Sequence, residues 1–477
     1  MSNRIFFAAG ALVLVFAPAV SAQWIDVYAT RQTVSASPAG PLLMNESCLP
    51  ELADRPLSLQ DVLQQAICAN PQTKQAWANA RAQAAAVGVS EAAYLPTLDA
   101  TVGVERDTLA TRYNANSLGA GSITSSQNSS SRYGELDFGW VLFDFGKRSA
   151  DLRQARQLLA AANAAQDDTL QAVYFKAAQA YYNLSDAQAS LEAARATESS
   201  ARESLDDTTE KHNGGVGSLS DQLQAETIYR RAVLDRVSAE GDVLAATGTL
   251  ASMMGLDADT SVRVVTAEPV VDNAAFAQNV DQLIDEAKLQ HPKLVAARAQ
   301  LEAARANVDA VRAEGRPTIS LVGNLSQNNP SYQQQPEQFP VTGSRGSTIG
   351  IQLKIPLFEG LASGYRVEQA EQQVDAQEAD LRNTELQVSL DVWKSYQGLL
   401  TDTASLGISQ DLLDAAQRSL EVARGRYKEG VGAFTELLNA QAALTDARKQ
   451  RVLAVSKWRT SRLRLALSLG NLGFWSP

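Results

Sequence analysis

The sequence is poor in the residues on which most enzymes and metalloproteins depend. It has two histidines and two cysteines in 477 residues. His212 and His291 lie far apart without a metal-ligand spacing, so we interpret both as ordinary residues at helix ends. HExxH, GxSxG and CxxC motifs are absent, and Gly146-Lys147 lacks the rest of a phosphate loop. We therefore expect no catalytic residue, no metal site and no cofactor.

Positive charge and long apolar runs are also scarce. The formal net charge is -11, and no basic stripe with interleaved aromatic residues is present. Nucleic acid is therefore excluded as the main partner. Beyond residue 22 no stretch of 18 or more apolar residues occurs, so no membrane-spanning helix is predicted. A membrane protein of this kind would have to be a barrel.

The first 22 residues have the pattern of a secretory signal peptide. Arg4 precedes the apolar run Ile5–Ala19, and Val20-Ser21-Ala22 forms a small-residue cleavage site. The alternative, a membrane anchor, needs a longer apolar run than this one. Gln23 follows the cleavage site where a lipid anchor would need cysteine.

The two cysteines, Cys48 and Cys68, would meet an oxidising compartment after export, where such a pair can form a disulfide. Closing a loop of this size would contribute about 3 kcal/mol. The alternative is that both are independent small apolar residues.

A short glycine-containing stretch occurs twice and organises the rest of the chain. Gly215-Val216-Gly217 and Gly430-Val431-Gly432 match at an offset of 215 residues. Both interrupt helical patterns, so each predicts the tight turn of a long helical hairpin, with helices resuming near Leu219 and Phe434. The chain is therefore interpreted as one unit built twice.

The helical patterns before the two turns are long. Leucine or alanine recurs every seven residues from Leu170 to Leu205, interrupted by Glu198, and from Leu399 to Leu420. This period predicts left-handed supercoiling of packed helices. The first helix, from about Lys147 to His212, would be about 100 Å long.

Alternating apolar and polar residues predict two strands in each half. The first two contain residues 98–104 and 135–142, and the last two contain residues 319–325 and 349–357. Residues 107–131 and 324–347 are predicted to be loops. The repeat offset falls from 221 to 215 between the strands, which predicts a first loop six residues longer. A single helix is predicted from Ser58 to about Tyr94.

These elements define a mostly helical fold with a β-barrel in the membrane. The predicted segments are a signal peptide (1–22), an extended leader (23–57), repeat 1 (58–255), a connector (256–280), repeat 2 (281–470) and a tail (471–477). Four strands cannot close a barrel alone, since about eight is the usual minimum. Three chains would supply a 12-stranded barrel, continued by the helices as a long tube.

The order of the motifs resembles the TolC family of outer-membrane channels. Leu95-Pro96-Thr97 precedes LFDFG (142–146), and Arg316-Pro317-Thr318 precedes IPLFEG (355–360). The resemblance implies a homotrimer in outer-membrane lipid with a periplasmic helical tunnel. It also implies a periplasmic adaptor and an inner-membrane transporter, either an ABC or a proton-driven one, as partners.

Residues Ile67-Cys68-Ala69-Asn70-Pro71 are most similar to the branch that serves type I protein secretion. A multidrug efflux channel is the alternative within the family. The alternatives from other classes are a periplasmic adaptor and a purely structural coiled coil. An adaptor would have one hairpin and lack paired strands, and a coiled coil would lack the four strands and the tip glycines.

The resemblance also implies a gate at the hairpin tips. In the family an acid of the first tip meets a tyrosine of the second, and Asp221 and Tyr427 occupy those places. Gly432 stands where some members have an arginine, so a second link should be absent. The acidic ring of the entrance maps to Glu436 and Asn439, of which Glu436 alone is charged. Asp221 could instead be a helix-start charge, which is worth about 0.5 kcal/mol.

Overall fold

The computed structural model describes residues 26–40, 55–114, 121–265, 280–332 and 343–472. The predicted signal peptide and Cys48 lie outside these ranges. The helices are α1 (Leu59–Ala69), α2 (Pro71–Ala92), α3 (Lys147–Asn213), α4 (Leu219–Met253), α5 (Val280–Gln290), α6 (Pro292–Glu314), α7 (Ala362–Lys428) and α8 (Phe434–Ser468). The strands are β1 (Thr97–Asn114), β2 (Ser122–Phe143), β3 (Thr318–Tyr332) and β4 (Ser344–Lys354).

The two halves repeat each other residue by residue in their long helices. Helices α3 and α7 both have 67 residues, and α4 and α8 both have 35. At 1.5 Å per residue, α3 and α7 are each about 100 Å long. The predicted hairpins and the predicted helix starts at Leu219 and Phe434 are therefore confirmed.

The predicted single helix from Ser58 to Tyr94 is wrong, because the chain breaks at Asn70. Pro71 cannot donate a hydrogen bond and disfavours helical geometry for the residue before it. Asn70 accordingly has φ -61° and ψ 131°, and its side chain caps α2 by accepting from the Gln72 amide at 2.8 Å. Ser58 caps α1 as predicted, in a reciprocal capping box with Asp61.

His291 caps α6 as Asn70 caps α2, and both precede proline. Its Nδ1 accepts from the Lys293 amide at 3.2 Å. His212 lies in the last turn of α3. The interpretation of both histidines as helix-end residues is confirmed.

The four strands form one antiparallel sheet in the order β1-β2-β3-β4. The register places Leu98 opposite Phe138, Leu136 opposite Leu325, and Leu321 opposite Ile351. The apolar residues therefore share one face, as the alternation predicted. Asn324 binds Glu135 and Asp137 on the other face, at 2.5 and 2.9 Å.

The predicted loops 107–131 and 324–347 are wrong, because the strands continue through most of both segments. The segment between β1 and β2 is 115–121, and that between β3 and β4 is 333–343. The connection is thus shorter in repeat 1, so the prediction of a longer first loop is wrong, and the additional residues of repeat 1 lie in its strands. Unbroken one-to-one pairing, such as Thr124 with Arg112 and Ser126 with Ala110, satisfies the backbone despite the polar side chains.

Apolar burial is concentrated where the short helices meet the middle of the long ones. In repeat 1, α1, α3 and α4 share a core that includes Val62, Leu184 and Leu250. In repeat 2, α5, α7 and α8 share a core that includes Leu283, Val392 and Leu465. Towards the tips the seam is less covered in a single chain, and Leu191 is only partly buried.

The leader is not uniformly extended, because Thr30–Thr33 form a 3-10 helix that packs on α2. Cys68 is disulfide-bonded, and its pairing with Cys48 stays a prediction because Cys48 lies outside the described ranges. Across the described helices, none is long and apolar enough to cross a membrane.

Candidate functional site at the hairpin tips

The first tip is a tight, hydrogen-bonded turn at the end of α3. Gly215 has φ +75°, a conformation that costs glycine little. The amides of Val216 and Gly217 both donate to the Lys211 carbonyl, at 3.0 and 2.9 Å. A Cβ on Gly217 would lie 2.8 Å from the His212 nitrogen, so the turn requires glycine there.

The second tip has the same geometry. Gly430 has φ +74°, and the amides of Val431 and Gly432 donate to the Arg426 carbonyl, each at 3.0 Å. A Cβ on Gly432 would lie 2.9 Å from the Arg426 Cβ. Val216 and Val431 are 83% and 70% exposed, so each turn presents an apolar side chain to the surroundings.

Asp221 lies in the first turn of α4, directly after the tip. Ser218 caps this helix by accepting from the Ser220 amide at 3.1 Å. In the part of the chain that the structure describes, the Asp221 carboxylate makes no ion pair and no hydrogen bond to Tyr427. Its position suits the helix dipole and also leaves it available to another chain.

Tyr427 lies in the last turn of α7 and belongs to a tip cluster with Phe434 and Leu437 of α8. The Tyr427 and Phe434 ring centroids are 5.4 Å apart. The Lys211 Nζ lies over the Tyr427 ring, 3.8 Å from its centroid, in a cation–π contact. Tyr427 therefore joins the two hairpins of one chain.

Glu436 is half-exposed in the first turn of α8 and forms an ion pair with Arg426, Nε to Oε1 3.3 Å. This pairing offsets the charge that Glu436 would give an entrance ring. Asn439, one turn further on, is exposed in the same helix. The ion pair of Glu436 with Arg426 was not predicted from the sequence.

The repeat offset explains why the two tip acids differ in their partners. Lys211 is the counterpart of Arg426, and Asp221 is the counterpart of Glu436, both at 215 residues. In hairpin 2 the basic residue binds the acid. In hairpin 1 Lys211 instead lies on Tyr427, and Asp221 is left without it.

Two further polar contacts connect the hairpins above the tips. Arg424 forms an ion pair with Glu203, and the Gln441 Nε2 donates to the Ser204 Oγ at 2.9 Å. Sequence reasoning missed these residues and Lys211. The offset could have shown that Lys211 matches Arg426, but the contact of Lys211 with Tyr427 depends on how the two hairpins pack.

The doubled hairpins and the four-stranded sheet match solved outer-membrane channels. The structure of the Campylobacter jejuni CmeC outer membrane channel aligns with a TM-score of 0.74, at 19% sequence identity, covering 87% of this chain and 85% of that one. This chain therefore has the fold of that channel.

The chain belongs to the outer membrane efflux protein family, whose sequence profile matches residues 62–256 and 283–471. It is 32% identical to protein CyaE of Bordetella pertussis over 429 residues, covering 89% of this chain and 86% of CyaE. It is 26% identical to the outer membrane protein TolC of Vibrio cholerae, covering 87% and 91% of the two chains.

A third relative has a name that specifies a process. The chain is 23% identical to the alkaline protease secretion protein AprF of Pseudomonas aeruginosa, covering 62% of this chain and 60% of AprF. The chain is thus an efflux channel protein of the outer membrane and a transport protein without enzymatic activity.

Proposed function

We propose that three copies of the chain form one passive exit duct, with a barrel in the outer membrane and a helical tunnel in the periplasm. The observation that carries this proposal is the strand order β1-β2-β3-β4, which leaves one edge of β1 and one edge of β4 without a partner in the described sheet. Unpaired edges of this length need a partner.

The internal repeat supplies the pairing rule for those edges. Strand β2 is the counterpart of β4, and β3 is the counterpart of β1. The observed pairing of β2 with β3 therefore prescribes a pairing of β4 with β1 of the next copy. Phe138 opposite Gly323 becomes Leu353 opposite Val102 of that copy. Three copies of the four strands give twelve, enough to close a barrel.

The two faces of the sheet suit lipid and water. Val102 is 87% exposed and Ile349 is 78% exposed on the apolar face, so this face would contact outer-membrane lipid. Glu135, Asp137 and Asn324 form a hydrogen-bonded polar group on the other face, which would line the lumen.

We infer that the cargo is protein, in the manner of type I secretion. The likeness to a protease secretion protein supports this inference. A periplasmic adaptor and an inner-membrane transporter would complete the export path, because the described chain contains no energy-coupling motif. The second candidate function is the outer-membrane channel of a multidrug pump, which the match to the outer membrane efflux protein family favours.

We propose that Asp221 and Tyr427 form the latch of the closed tip, with Asp221 of one hairpin accepting from the Tyr427 hydroxyl of a neighbouring hairpin. Asp221 is available because Lys211 lies on Tyr427, and Tyr427 is held in place by the same lysine and by Phe434. Gly432 offers no second link. Glu436 would contribute a weak entrance charge because Arg426 compensates it.

Deletion of the gene tests the choice between cargoes. Loss of particular proteins from the culture medium, with unchanged drug susceptibility, would support protein secretion. Increased drug susceptibility with an unchanged set of secreted proteins would support the pump. A variant with both tip glycines replaced, Gly217→Val and Gly432→Val, should reproduce the deletion, because both turns exclude a Cβ.

A further inference from the structure

The leader lies in a groove on repeat 1 that has no equivalent on repeat 2. Helix α2 presents Ala80, Ala84 and Gly88 at intervals of about one turn, and Val34 lies in one buried cluster with both alanines. The Cβ position of Gly88 lies 3.6 Å from the Cγ2 atom of Thr30. The counterparts in α6 are the larger residues Leu301, Arg305 and Asp309.

Specific hydrogen bonds hold the leader in this groove. The Trp77 Nε1 donates to the Ser35 carbonyl at 2.9 Å, and the Asn163 Nδ2 donates to the Thr33 carbonyl at 3.0 Å. Asp26 binds the start of the 3-10 helix, with its Oδ2 accepting from the Arg31 amide at 2.7 Å. The Arg31 side chain is exposed, and its charge helps to lower the pKa of the nearby Asp26 carboxyl, although the two form no salt bridge within 4 Å in the described part of the chain.

Asp309, the counterpart of Gly88, marks a contact between the two repeats. Its Oδ2 lies 2.8 Å from the Arg153 Nη2, which joins α6 to α3. The counterpart of Arg153 in repeat 2 is Glu368, which is exposed on α7. If neighbouring copies repeat the α3–α6 contact, Glu368 of one copy faces Gly88 of the next. Gly88 has no side chain that could pair with Glu368. The leader segment that covers Gly88 carries the positive charge of Arg31.

We propose that the leader is a clamp between copies, in which Arg31 forms an ion pair with Glu368 of the neighbouring copy. This inference rests on the proposed trimer. This ion pair between copies is the equivalent of the Arg153–Asp309 ion pair inside a chain. The charges are exchanged, because the acid now lies on the long helix α7 and the base lies on the side of the short helix α2. The small residues of α2 are then explained, because they make room for the segment that carries the basic residue.

Charge reversal in the purified, full-length protein tests the clamp. Arg31→Glu and Glu368→Arg should each lower the temperature at which the trimer dissociates on a semi-native gel, since each places like charges at the seam. The double reversal should restore the wild-type temperature. Native mass spectrometry of the wild type establishes the trimer independently.

Introduced cysteines provide a geometric readout. Cysteines at positions 31 and 368 should give covalent oligomers on oxidation. The control pair at 153 and 309 should give a cross-link inside one chain. An intact trimer in which the reversals leave the dissociation temperature unchanged and the 31/368 pair gives no oligomer would overturn the clamp. Absence of a trimer in the wild type would instead overturn the proposed function.

Discussion

We expect His291 to make the folded protein sensitive to acid, and replacing it with its repeat counterpart Asn70 should remove that sensitivity. The side chain is 6% exposed. Burial, reinforced by the Lys293 charge, lowers the His291 pKa from 6.5 to about 4, although Asp391 and a hydrogen bond to the Leu467 carbonyl act in the opposite direction. Its Nδ1 accepts from the Lys293 amide and so must stay unprotonated.

The sign and size of the effect follow from this pKa. Between pH 6.5 and 4 the unfolded chain binds a proton at His291 that the folded chain does not, so stability falls as pH falls. At pH 4.5 the loss is about 2–3 kcal/mol per chain. His291→Asn should keep the cap, as Asn70 does with Gln72 in repeat 1, without this loss.

Urea unfolding at pH 7 and pH 4.5, followed by circular dichroism, measures the difference. The wild type should lose more stability than His291→Asn between the two pH values. The matched variant Asn70→His should acquire additional acid sensitivity. Parallel losses in the wild type and in His291→Asn would refute the assignment of this effect to His291.

Three further outcomes follow from the channel and its tips. Tyr427→Phe and Asp221→Ala should each raise single-channel conductance in planar bilayers, since each removes a charge-assisted hydrogen bond worth about 1.5–3 kcal/mol. The double variant should add little, and unchanged conductance would return Asp221 to a helix-start charge. Phe138→Arg should cost about 2–4 kcal/mol near mid-membrane, and a spin label at 138 that reports water would contradict the lipid-facing assignment. Mass spectrometry of non-reduced peptides should find Cys48 joined to Cys68, whereas free thiols would exclude the bridge.

The long helices were predictable because the same residues recur at a constant offset. Gly215 and Gly430 have positive φ in both hairpins, and this requirement is visible in the sequence as glycine. The heptad leucines also fix the direction in which each helix buries its side chains. At these positions the residue type and the internal repeat predict the same structure, so the helices and turns could be predicted without knowledge of the tertiary contacts.

The strand lengths were not predictable in the same way. Ser126 and Asn128 are typical of loops by composition, yet they continue β2 opposite β1. In this segment the extended structure is determined by backbone pairing with the neighbouring strand, and the side chains only have to be compatible with that pairing. The helix break at Asn70 was not predicted either. Proline is favoured in the first turn of a helix, so Pro71 marks the start of α2, whereas the sequence was interpreted as one helix with Pro71 in its interior.

The tip contacts depend on packing between hairpins that are distant in sequence. Lys211 and Tyr427 are separated by a whole repeat, and their cation–π contact forms only when α3 packs against the second hairpin, where it contacts α8. Arg426 lies ten residues before Glu436, across the turn, so their pairing requires the hairpin geometry. Asp221 and Tyr427 were identifiable through the family resemblance. The role of Lys211, which lies on Tyr427 and so leaves Asp221 without the basic partner that Glu436 has, was not.

The pairing of β4 with β1 of the next copy is the most direct test of the proposed duct. Cysteines at Leu353 and Val102, which the β2–β3 register places opposite each other between copies, should give covalent oligomers up to the trimer in isolated outer membranes. A pair at Leu353 and Thr101, shifted by one residue to the opposite face, should give few. Exclusively monomeric product from the Leu353/Val102 pair, in protein correctly located in the outer membrane, would contradict the shared barrel.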